Sequence, residues 1–147
     1  MGLSSVAPSS LLVALVALVA WGGLAAARQL SRRDLVQELR RQGFAEAQLR
    51  NWVCLVEAES SRNTAAVGGP NSDGSHDYGL FQINDRYWCS HGSAGNGCQV
   101  RCEDLITDNI DRASACTKKI FSIHGFNAWN GWKSKCQGKP LPDITGF

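Results

Sequence analysis

Much that would give a chain of 147 residues an obvious role is missing from this one. Charge is nearly balanced, 15 Lys and Arg against 13 Asp and Glu, for a net of +2. No basic stripe is interleaved with aromatic residues and no recognition motif occurs, so a nucleic-acid partner is not expected. So small a charge is also too weak for a protein that acts by disrupting membranes. There is no internal repeat or low-complexity tract after residue 27, and no Asn-x-Ser/Thr sequon anywhere, so N-glycosylation is not expected. No histidine stands at a ligand spacing from the one close cysteine pair, Cys98 and Cys102. Zinc is therefore a weak reading, and no metal or cofactor is expected. His76, His91 and His124 are scattered and read as surface or loop residues.

Long apolar runs are scarce too. Leu11–Ala20 is followed by Trp21–Ala27, which closes on Ala25-Ala26-Ala27. Seventeen mostly apolar residues are at the short limit for a membrane span. The small-residue run fits a signal-peptidase site, although Lys and Arg are absent ahead of the apolar core. The rival is an uncleaved anchor, and Arg28, Arg32 and Arg33 behind it would then leave the domain in the cytosol. Six downstream cysteines oppose that, because cytosolic thiols stay unpaired. The expectation is a signal peptide over 1–27, one secreted domain over 28–147, and no stable membrane insertion after cleavage. Cys54, Cys89, Cys98, Cys102, Cys116 and Cys136 then form three disulfides, whose connectivity spacing alone leaves open.

What is present is organised around Asn51–Ser60. Trp52, Leu55, Val56 and Glu59 recur at i, i+3, i+4 and i+7, one face of a helix. Three are apolar and the fourth is a carboxyl. A carboxyl set among apolar neighbours has its pKa raised, as a general acid near neutral pH requires. Glu57 points away from the stripe and is expected in water. Upstream, Leu35, Val36 and Leu39 mark an amphipathic helix over Asp34–Gln42, stopped by Gly43. Phe44–Arg50 reads as a connector. Downstream, Asn71-Ser72-Asp73-Gly74 signals a hairpin turn, and Ser75–Asn84 reads as one strand bent near Gly79. Asp77 lies on that strand among polar neighbours, where a carboxyl stays ionised. Arg86–Cys102 is a cysteine-clasped loop, Asn109–Ser122 returns to helical spacing, Asn127–Cys136 closes near another helix end, and Gly138–Phe147 is an irregular tail. Helices flanking a small hairpin region give an α+β fold with two lobes.

Two carboxyls in opposed settings are the arrangement of glycoside hydrolysis, one as acid and the other as nucleophile. Tyr87, Trp88 and Trp129 are suited to stacking on sugars, and Asn63, Gln82 and Asn84 to hydrogen bonding them. Core packing is the commoner fate of tryptophan and is assigned here to Trp52 and Trp132.

Asn51-Trp-Val-Cys54, Glu59-Ser60, Asp73-Gly-Ser, Asp77-Tyr-Gly79, Phe81-Gln-Ile-Asn84, Tyr87-Trp-Cys89, Cys116-Thr-Lys-Lys-Ile120 and Asn127-Ala-Trp129 together resemble the c-type (chicken-type) lysozyme family, most closely its insect branch. The likeness runs over nearly all of residues 28–147. Lysozyme is itself the standard illustration of the two-carboxylate site, so the roles that follow are inherited from that resemblance. It implies a helical lobe and a small β lobe with a cleft between them. It implies Glu59 as general acid/base, Asp77 as nucleophile or ion-pair stabiliser, and retention at the anomeric carbon. Trp129 falls beside the acid, while Gln82, Asn84 and Trp88, with Tyr87 where many relatives carry tryptophan, fall on saccharide subsites. The implied substrate is the β-1,4 linkage between N-acetylmuramic acid and N-acetylglucosamine of bacterial peptidoglycan, with chito-oligosaccharides as a weaker one. The implied role is antibacterial wall lysis or digestion by a secreted monomer. The rival is a catalytically silent saccharide-binding or regulatory relative, which retention of both carboxyls opposes.

The resemblance also implies the pairs Cys54–Cys136, Cys89–Cys102 and Cys98–Cys116. A fourth family bridge, from the first helix to the tail, is absent: its positions fall near Arg33 and Phe147. Such a bridge closes a loop of about a hundred residues, worth roughly 4–5 kcal/mol in the entropic account. Lower stability and a looser tail are expected, with the cleft intact. Ser122–Gly125 is a residue shorter than in vertebrate relatives and lacks an acid, which weakens the outer subsites. Within Glu103–Asp111, Asn109 and Ile110 replace two aspartates of the α-lactalbumin calcium loop, so calcium is not expected.

Overall fold

The computed structural model describes Gly2 and residues 28–147, so the proposed signal peptide lies outside the described residues. Among the described residues no helix is long and apolar enough to cross a membrane.

Helix α1 spans Arg32–Arg41. The Ser31 hydroxyl caps it by accepting from the Asp34 amide at 3.0 Å. Asp34 in its first turn and Arg40 and Arg41 in its last complement the helix dipole. Leu35, Val36 and Leu39 are fully buried, and Gly43 ends the run at a φ of +76°. A 3-10 turn, Glu46–Gln48, occupies the predicted connector and leads into α2, Leu49–Ser60. Helix α2 stops where Ser61 and Arg62 take left-handed backbone. Helix α3 spans Asp111–His124, and a 3-10 turn over Gly125–Ala128 leads to α4, Asn130–Lys135. Helix α2 packs against both α1 and α4.

The β lobe is small. Strands β1 (Val67–Gly68), β2 (Asp77–Tyr78) and β3 (Ile83–Asn84) form an antiparallel sheet in that order. Strands β4 (Cys89–Ser90) and β5 (Val100–Arg101) pair in parallel. The predicted single strand over Ser75–Asn84 is therefore two strands joined by a turn. Leu80 and Phe81, adjacent in sequence, are both fully buried, which an alternating strand does not permit. Gly79 (φ +77°) and Gln82 (φ +49°) make the turn. A Cβ at Gly79 would stand 1.9 Å from the Leu105 carbonyl oxygen, so the chain passes there only as glycine.

Trp52 is the centre of the core. Its ring meets Phe44 at 4.9 Å, Phe121 at 5.0 Å, Phe126 at 4.7 Å and Trp129 at 5.7 Å between centroids. Trp132 is half-buried, stacked on Phe126, with its Nε1 donating to the Asn51 side chain at 3.0 Å. The disulfides are Cys54–Cys136, Cys89–Cys102 and Cys98–Cys116, the pairs that the resemblance implies. The first ties α2 to the end of α4.

One expectation is corrected. Glu57 is not free in water: Arg32 grips it through Nε at 2.7 Å and Nη2 at 3.1 Å, and Arg62 adds a bond at 3.0 Å. Its position off the apolar stripe leaves it between α1 and the turn after α2, where those guanidinium groups converge. The tail is irregular and mostly exposed, and side chains of the helical lobe contact it. Arg50 donates to the carbonyls of Pro142 at 2.9 Å and Leu141 at 2.8 Å, Arg40 donates to that of Phe147, and Ile144 packs on the core.

Candidate active site

A groove of about 520 Å³ runs between the lobes. Seven of the eight predicted site residues line it: Glu59 from α2, Asp77 from β2, Gln82 and Asn84 from the β2–β3 turn and β3, Tyr87 and Trp88 from the following loop, and Trp129 from the entry to α4. Asn63 is the exception. It pairs with Gln29 in an isolated β-bridge, and its side chain accepts from the Ala65 amide at 2.9 Å. It braces the turn after α2, because the left-handed residues Ser61 and Arg62 carry the chain out of the helical register that led to Glu59.

Glu59 is half-buried on the last turn of α2. Burial pushes its pKa up, an N–H bond from Gly131 opposes that, and the nearby charge of Asp77 raises it further. The Gly131 amide donates to Glu59 Oε1 at 2.8 Å. A Cβ on residue 131 would lie 2.6 Å from that oxygen, so glycine leaves the space the carboxyl occupies. Two residues earlier, Trp129 is 5% exposed and anchored by its Nε1–H to the Phe81 carbonyl at 2.8 Å.

Asp77 sits in the middle strand, in register with Gly68 on one side and Asn84 on the other. Asn84 Nδ2 donates to its Oδ1 at 2.9 Å, and Asn71 Nδ2 donates to its Oδ2 at 2.9 Å. Each oxygen therefore accepts one amide N–H. Gln82 lines the groove with its amide nitrogen committed to the Ala66 and Gly79 carbonyls, at 3.1 and 3.0 Å. Tyr87 is 60% exposed and offers an open ring face. Trp88 meets His124 edge-on at 5.9 Å, and the groove continues past these two toward Ala128.

Sequence reasoning missed Asn71, Ser75 and Gly131. Asn71 opens the turn already recognised and Ser75 follows it as the first residue of the predicted strand, and the signal available was their polarity beside Asp77. Gly131 carried no local signal, since only the packing of α4 on α2 brings it to Glu59. His91 was also missed: it bridges Asp85 at 3.1 Å and Glu103 at 3.2 Å, away from the groove.

A half-buried carboxyl and one that accepts two amide N–H bonds line the same aromatic-walled groove, the kind of pair that glycosidases use. The sequence profile of the C-type lysozyme/alpha-lactalbumin family matches residues 28–146. The chain is 59% identical over 119 residues to a lysozyme of Galleria mellonella, covering 80% of this chain and 98% of that one. It is 58% identical over 120 residues to a lysozyme of Bombyx mori, covering 81% and 86%. A lysozyme C of Equus asinus is 40% identical over 119 residues, covering 77% and 92%. The chain belongs to the C-type lysozyme/alpha-lactalbumin family.

Proposed function

We propose that this lysozyme hydrolyses the β-1,4 linkage between N-acetylmuramic acid and N-acetylglucosamine in bacterial peptidoglycan, with Glu59 as acid/base and Asp77 as nucleophile. The observation that carries this is the contrast between the two carboxyls. Burial holds the proton on Glu59 to a higher pH, while Asp77 meets two amide donors across the groove. Glu59 delivers its proton to the glycosidic oxygen as the bond to the anomeric carbon breaks. Asp77 bonds to or ion-pairs with that carbon on its opposite face. Water then attacks, returns a proton to Glu59 and leaves the configuration retained. Tyr87 and Trp88 stack on sugars, and Trp129 keeps the acid's surroundings dry. Chito-oligosaccharides, which share the linkage and the acetamido groups, are cleaved more slowly.

The family and its lysozyme relatives favour a saccharide substrate and release from the cell, and the leader composition over residues 1–27 supports secretion. Retention of both carboxyls favours the enzyme over a silent saccharide-binding relative. Clearing of bacterial cell-wall suspensions separates the two. Wild type clears the suspension and Glu59→Gln does not; equal clearing by both defeats the proposal.

A further inference from the structure

We infer that Asp73 is a positioning residue that couples the carboxylate of Asp77 to the sugar platform of Tyr87, through Ser75 on one side and Arg86 on the other. The inference rests on the reading of Asp77 as the nucleophile. Ser75 is 8% exposed and has a single hydroxyl proton. That proton goes to Asp73 Oδ1 at 2.6 Å. With its proton committed, the oxygen acts only as an acceptor, from Asn71 Nδ2 at 3.0 Å and from Asn84 Nδ2 at 2.8 Å. Each of these amide nitrogens has two hydrogens, and the second goes to Asp77. Every donor and acceptor at Ser75 is thereby assigned, and the two amides are held in the orientation that presents N–H to both oxygens of Asp77. A hydroxyl free to turn its proton toward an amide would set that amide's oxygen against Asp77.

The second arm leaves from the other oxygen of Asp73. Arg86 Nη1 donates to Oδ2 at 3.0 Å, and the guanidinium carbon lies 5.5 Å from the centre of the Tyr87 ring. Tyr87, 60% exposed, takes its orientation from this cation. The Ser75 hydroxyl, the Ser75 amide and Arg86 hold the Asp73 carboxyl down at a pKa of about 2, so both arms persist across the working pH range. The loop itself is framed by backbone bonds, Asn71 N–H to Ser75 O at 2.8 Å and Gly74 N–H to Asn71 O at 2.9 Å, which do not need either side chain.

The test is a double-mutant series on the full chain, with a soluble β-1,4 N-acetylglucosamine oligomer as substrate. Ser75→Ala is expected to lower kcat about tenfold, Arg86→Ala to raise KM about threefold, and Asp73→Ala to do both. Asp73→Ala with Ser75→Ala should lower kcat no further than the worse single variant, and Asp73→Ala with Arg86→Ala should raise KM no further. Additive losses, or kcat falling and KM rising together in step with the loss of melting temperature in all variants, overturn the inference, since a merely structural turn gives that result. If Asp73→Ala does not fold, Asp73→Asn keeps an acceptor for Ser75 but loses the partner of Arg86. It should then reproduce the KM effect of Arg86→Ala, and a KM equal to wild type refutes the second arm. Asp77→Asn is the control. If it stays active the nucleophile reading fails, whereas an inactive Asp77→Asn beside wild-type kinetics in the Asp73 and Ser75 variants refutes the coupling alone.

Discussion

The backbone N–H of Gly131 donates to the carboxyl of Glu59 at 2.8 Å, and residue 131 has no room for a side chain beneath it. A Cβ there falls 2.6 Å from Oε1 and 2.8 Å from the carboxyl carbon. The side chain of Glu59 is the mobile partner, so the clash is relieved by swinging the acid out of place. Gly131→Ala is therefore expected to lower kcat by about ten- to a hundredfold, because a misplacement of about 1 Å is costly in an acid catalyst. Its melting temperature should stay within a few degrees of wild type. Wild-type kcat would show that the carboxyl does not need that position.

Burial raises Glu59 above its ordinary value of 4.5, against the opposing Gly131 bond. Activity needs the protonated form, so the alkaline limb of the pH–rate profile falls as pH rises through that raised pKa. The same shift acts on stability. Below 4.5 the carboxyl is protonated in both folded and unfolded chains. As pH climbs from there through the folded pKa, the unfolded chain loses its proton first and stability declines. Glu59→Gln removes that term. Its melting temperature at neutral pH should equal or exceed that of wild type, while activity is lost; a clear drop in melting temperature would contradict the burial assignment.

His91 has the opposite chemistry and the same direction of response. Its bond to Asp85, then its bond to Glu103, raises its pKa above 6.5, despite partial desolvation. A raised histidine contributes stability in full below 6.5, and that contribution fades as pH rises through the folded value. The difference in melting temperature between wild type and His91→Gln should accordingly be largest at pH 5–6 and shrink toward pH 9, by about a few degrees. A pH-independent difference would show that the imidazole acts by packing alone. With its side chain 54% exposed, the effect is further weakened by salt.

Without the bridge, the tail is held to the helical lobe in part by Arg50, which donates to the carbonyls of Leu141 and Pro142. Arg50→Ala should lower the melting temperature by about 3 °C and speed amide exchange over residues 141–147. Conversely, joining Arg33→Cys to Phe147→Cys should raise the melting temperature under oxidising conditions, by less than the roughly 4–5 kcal/mol of the entropic account. No gain would mean that the arginine contacts already restrict the tail as far as a bridge does.

Where the sequence was legible, one dominant local signal was responsible. The period of Leu35, Val36 and Leu39, and of Trp52, Leu55 and Val56, marked α1 and α2 to within three residues, since burying one stripe leaves little choice of face. The β lobe was harder to read. Strands of two residues have no periodicity to detect, and the inward pair Leu80–Phe81 broke what alternation there was. Among site residues, Asn63 was chosen on polarity and lies outside the groove lining, while Asn71, eight residues later, contacts Asp77.

By itself the chain determined that Glu59 shares a helical face with buried apolar side chains, that Asp77 follows a polar turn, and that six cysteines are available in pairs. These are properties of spacing and residue type. Only the tertiary structure decided that α4 lays Gly131 under Glu59, that Asn71 and Asn84 reach Asp77 from both sides, and that Arg32 and Arg62 enclose Glu57. Glu59–Gly131 and Glu57–Arg32 join residues far apart in the chain, Asp77–Asn84 joins two strands, and the nearer pairs Asp77–Asn71 and Glu57–Arg62 form only once the turns beside them are set. They depend on how the two lobes and their helices pack, which no local pattern encodes.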